Sequence, residues 1–63
     1  MFENCTLKYI KNFLTDENYA VRITYPAIDG ISATSDVPLR IGNTDYQNIL
    51  KWVEEGNKIE EAD

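Results

Sequence analysis

The segment Tyr19-Ala20-Val21-Arg22-Ile23-Thr24-Tyr25 alternates Tyr, Val, Ile and Tyr with Ala, Arg and Thr. A period of two, rich in β-branched and aromatic side chains, predicts a strand with one buried face. Pro26 ends it. Asp29-Gly30 then predicts a tight turn, the glycine supplying a positive φ. Beyond that turn, Val37, Leu39 and Ile41 alternate with Pro38 and Arg40, which predicts a second extended segment. Pro38 lacks an N–H, so this segment is expected at a sheet edge or only partly within the ladder. Upstream, Leu7–Leu14 reads two ways. Leu7, Ile10, Phe13 and Leu14 fit a helical stripe, whereas Leu7, Tyr9 and Phe13 fit one face of a strand. Asp16-Glu17-Asn18 as a short hairpin loop favours the strand, because a lone strand needs antiparallel neighbours.

Downstream of the strands, Tyr46, Ile49, Leu50 and Val53 fall at i, i+3, i+4 and i+7, one stripe of an α-helix. Thr44 followed by Gln47 predicts a capping box, Asp45 suits the positive helix end, and Gly56-Asn57 predicts the stop. Trp52 lies on the flank of the stripe, either closing the edge of the core or serving as an aromatic anchor for a partner. The expected fold class is α+β: a three-stranded antiparallel β-meander followed by one C-terminal α-helix. It forms a single small domain over 1–63, with strands within about 6–41, a helix over about 44–55 and an acidic tail over 57–63. The helix stripe is expected against Tyr19, Val21, Ile23 and Tyr25, or against whichever strand face is more apolar, leaving the other sheet face wet or available to a partner. No repeat, low-complexity tract or linker marks a second domain.

Sixty-three residues with eleven acidic and six basic side chains carry a net charge of −5. This balance disfavours binding to nucleic-acid phosphates, and no apolar run approaches the length of a membrane span. The first residues lack a signal-peptide core. A chain this small has little core, and a single cysteine, Cys5, excludes an internal disulfide, so self-association or docking on a larger body is the expected source of extra stability. With no histidine and one cysteine, the common zinc sets are excluded, and no calcium loop or glycine-rich phosphate loop is present. Cys5 has no histidine to activate it, and Asn4-Cys5-Thr6 reads as a chance glycosylation sequon. Neither catalytic residues, nor a cofactor, nor a metal site is expected. Five of the eleven acids fall in residues 54–63, read as a solvated end or, alternatively, an acidic docking tail.

Asn43-Thr44-Asp45-Tyr46, Trp52, Glu55-Gly56-Asn57 and Ala62-Asp63, preceded by Val37-Pro38-Leu39, keep a set order and spacing. This C-terminal pattern, over about residues 37–63, resembles a motif of small tailed-bacteriophage proteins linked to tail fibres and tail assembly. It departs from that pattern where Ile59 and Glu61 replace prolines. The resemblance implies a virion or tail-associated structural protein that acts by binding protein, located in the virion or host cytoplasm. Its partner would be a second copy or a larger virion component, through a surface including Trp52, Arg22, Arg40 and Tyr46. The alternatives are an acidic inhibitor or regulator of a host protein, and a tail-fibre assembly chaperone. Every residue of the motif also has a plain structural job: Asn43, Thr44 and Asp45 start the helix, Tyr46 and Trp52 flank its buried face, and Gly56 stops it.

Overall fold

The computed structural model describes residues 2–63. Its elements are β1 (Thr6–Asn12), β2 (Glu17–Thr24), β3 (Thr34–Pro38) and α1 (Thr44–Glu54), and the strands form one antiparallel sheet in the order β1-β2-β3. The expected α+β meander with one C-terminal helix is therefore the observed fold. Leu7 pairs with Ile23 and Tyr9 with Val21, while Val21 also pairs with Val37. These side chains share one face of the pleat, and α1 covers it with Ile49, which is fully buried. Ile59 completes the cluster. On the opposite face, Ala20 is buried between its neighbours Ile10 and Pro38.

Several boundaries differ from the sequence expectation. The first hairpin turns at Phe13–Asp16 rather than at Asp16–Asn18, because Asp16 adopts the left-handed conformation (φ 61°) and its N–H reaches the Asn12 carbonyl at 2.7 Å. Phe13 and Leu14 therefore stand on the turn, 90% and 79% exposed, and not in the strand. A register shift between Ile10 and Lys11 leaves Tyr19 outside the pairing, so Tyr19 is exposed; Tyr25 lies past the end of β2 and is exposed too. Only Val21 and Ile23 of the expected buried quartet enter the core. β3 ends at Pro38, so Ile41 falls in the following loop and is exposed. The edge position expected from Pro38 is observed.

The helix begins one residue earlier in its capping than the Thr44–Gln47 pattern implies. Asn43 is the N-cap: its side-chain oxygen accepts from Tyr46 N–H at 3.0 Å, while Thr44 is already helical. The Gln47 side-chain amide instead donates to the Ile41 carbonyl, fastening the loop. Gly56 (φ 104°) stops the helix as expected, and Asn57 Nδ2 donates to the Trp52 carbonyl at 2.8 Å. The following segment is not a loose end. Glu60 N–H donates to Leu7 O at 2.8 Å and Tyr9 N–H donates to Glu60 O at 3.0 Å, a parallel bridge along the free edge of β1. That bridge carries Ile59 into the core.

Ile59→Ala is expected to cost about 2–4 kcal/mol of stability, because it opens a cavity in a small core. Ile41→Ala, on an exposed loop, should change stability by no more than about 0.5 kcal/mol. Chemical denaturation of the two variants checks the contrast. Asn43→Ala should cost about 1 kcal/mol through the lost cap.

Candidate functional site

The meander places its two hairpin loops at opposite ends of the sheet, and both carry apolar side chains. At one end stand Phe13 and Leu14. At the other, β2 and β3 continue past their paired region into an arm that turns at Asp29-Gly30. Both turn residues have positive φ (54° and 79°), and Ile28 and Ile31 exchange hydrogen bonds of 2.9 and 3.0 Å around them. That is a two-residue hairpin turn of the type the Asp-Gly pair favours. Tyr25 N–H donates to Ala33 O at 3.0 Å and ties the base of the arm. Ile28 and Ile31 are each 73% exposed, and with Tyr25, Pro26 and Ala33 they line an open apolar groove. The sequence signalled the turn but not this groove; the isoleucines bracketing Asp29-Gly30 are the residues that could have revealed it.

The sheet face away from α1 is polar and ion-paired. Arg22 and Asp36 are directly opposed across β2 and β3, with Nε to Oδ1 at 2.9 Å and Nη2 to Oδ2 at 3.2 Å. Lys8 Nζ reaches Asp63 Oδ1 at 2.6 Å, and Lys11 Nζ lies 3.6 Å from Asp16 Oδ1. A shallow depression of about 270 Å³ lies among Thr6, Lys8, Ile10, Arg22, Thr24 and Asp63. The Arg22 hydrogen bond holds the Asp36 carboxyl below the ordinary carboxylate value and raises the guanidinium in turn. The Lys8 hydrogen bond does the same to Asp63. All these groups are solvent-exposed, so the pairs order the face more than they stabilise the fold.

The four residues singled out from the sequence are distributed over the molecule. Arg22 lies on the outer face, bound to Asp36. Arg40 is exposed in the loop before α1, where its N–H donates to Pro38 O at 2.9 Å. Tyr46 and Trp52 are half-buried against the core on the other side of the sheet. Trp52 meets the Phe2 ring edge-on, centroids 6.0 Å apart. Arg22 is thus separated from Tyr46 and Trp52 by the sheet itself. Among the described residues no helix is long and apolar enough to cross a membrane, and no group of three metal-ligating side chains is found. No family model matches the chain, and no curated protein or solved structure matches it either.

Depressed carboxyl values mean that each pair favours the folded state at neutral pH and that its contribution fades as pH falls through the depressed value. Carboxyl NMR titration of Arg22→Gln should return Asp36 to the ordinary range near 3.8 while leaving Asp63 low. Lys8→Gln should release Asp63 and leave Asp36 low.

Proposed function

We propose that this protein works by binding other proteins, as a small bacteriophage virion or tail-associated structural component. The observation that carries the binding reading is the exposure of Phe13 and Leu14 at one end of the sheet and of Ile28 and Ile31 at the other. A chain with so small a core gains by burying such residues, yet this one holds them out on turns. Placement at opposite ends suits a component that bridges two neighbours. The viral part rests on the resemblance of residues 37–63 to the tail-associated motif. In this fold Asn43 caps α1, Tyr46 and Trp52 pack at the margin of the core and Gly56 stops the helix, which favours a scaffold role for these residues of the motif.

Mass spectrometry of purified particles of the encoding virus should find the protein in stoichiometric copies; its absence would overturn the virion reading. Replacing Ile28 and Ile31 together with Asp should reduce incorporation at least about tenfold while shifting stability by less than about 0.5 kcal/mol. Incorporation that survives both this change and Phe13→Asp would remove the apolar ends from the account. An acidic inhibitor would instead bind a basic host protein in a strongly salt-dependent way.

A further inference from the structure

The two edges of the sheet are treated differently. The edge of β1 is closed at Leu7 and Tyr9 by the Glu60 bridge. Among the described residues nothing covers β3 in this way. Tyr25 N–H donates to Ala33 O at 3.0 Å and Leu39 N–H to Tyr19 O at 3.2 Å, which sets the odd-numbered residues of this segment toward β2. The backbone groups of Thr34, Asp36 and Pro38 therefore point away from the sheet. Pro38 has no N–H to offer, and its carbonyl already accepts from Arg40. Thr34 and Asp36 remain, each with a free donor and a free acceptor. Their side chains are exposed, so nothing in the fold shields them.

We propose that this edge pairs with the β3 edge of a second copy, antiparallel and two-fold symmetric about Ser35. The proposal deepens the binding reading by naming one partner, and it rests on the sheet edge rather than on the apolar ends. In this register Thr34 of each copy lies opposite Asp36 of the other, and four backbone hydrogen bonds form from groups that are otherwise unpaired. The surface is self-complementary, as a two-fold interface requires. The neighbouring register toward Pro38 fits worse. Centring on Asp36 would oppose two carboxylates and require a donor from Pro38. A charge on an edge strand ordinarily discourages such pairing. Here the Asp36 carboxylate is already bound by Nε and Nη2 of Arg22 within its own sheet, at 2.9 and 3.2 Å. The paired meanders make one continuous six-stranded sheet, with both helices on the same face.

Sedimentation equilibrium of the full chain, carried to millimolar concentration, should show a monomer–dimer equilibrium. Amide exchange at Thr34 and Asp36 should slow as the protein is concentrated. Thr34→Pro removes one outward N–H per copy and no bond to β2, and should raise the dimer dissociation constant on the order of tenfold or more. Should that variant fail to fold by circular dichroism, N-methylation of the Asp36 amide by chemical synthesis deletes the equivalent donor with the side chain kept. A chain that stays monomeric throughout overturns the proposal, as does a dimer whose dissociation constant is unmoved in the folded variant. A monomer in solution leaves the virion reading standing, and absence from particles leaves the dimer standing.

Discussion

Exclusion of water from the cluster around Val21 and Ile49 is the constraint on which the rest depends. Both side chains are wholly buried, one on the central strand and one on the helix, and Leu7, Ile23, Val37 and Ile59 surround them. Each such side chain contributes roughly 1.5–3 kcal/mol by leaving water, in a domain whose conformational entropy cancels most of the total. Few core residues means little redundancy. The half-buried ring of Phe2, Tyr9, Leu39, Tyr46 and Trp52 forms the margin of this cluster, which gives the aromatic residues of the C-terminal motif their first task.

The same economy explains the polar surface. Arg22–Asp36, Lys8–Asp63 and Lys11–Asp16 neutralise three of the six cations. In an acidic chain this leaves the uncovered sheet face close to electrically balanced. Pro38 sits where its missing N–H costs no ladder bond, since that position faces outward. It limits how far β3 can be extended by a neighbour, and so it restricts both the length and the register of any edge pairing.

Much of the architecture was legible because it rests on local signals. The alternation through Val21 and Ile23, the Asp29-Gly30 turn and the Ile49-centred helical stripe each encode their element within a few residues. Where the structure departs from these local signals the physical origin is shared: apolar character alone does not reveal burial. Phe13, Leu14 and Ile41 looked like strand residues, but the Asp16 left-handed turn and the end of β3 at Pro38 place them in loops. Ile59 stood alone among charges and looked like part of a solvated end. Its burial depends on a bridge to Leu7 and Tyr9 that no nearby residue announces. The exposed apolar arm and the open edge of β3 were hidden for the same reason. The arm's isoleucines become a groove only once the turn has brought them side by side, and the free groups on β3 appear only once the pairing parity is known.

Because Ile59 seals the cluster that Leu7 begins, the core closes only when these two segments, far apart in the chain, meet. Long-range closure of this kind is slow relative to hairpin formation. Loss of residues 57–60 would leave Leu7 and the outer edge of β1 uncovered, an apolar slot of the kind that holdase chaperones and quality-control proteases recognise.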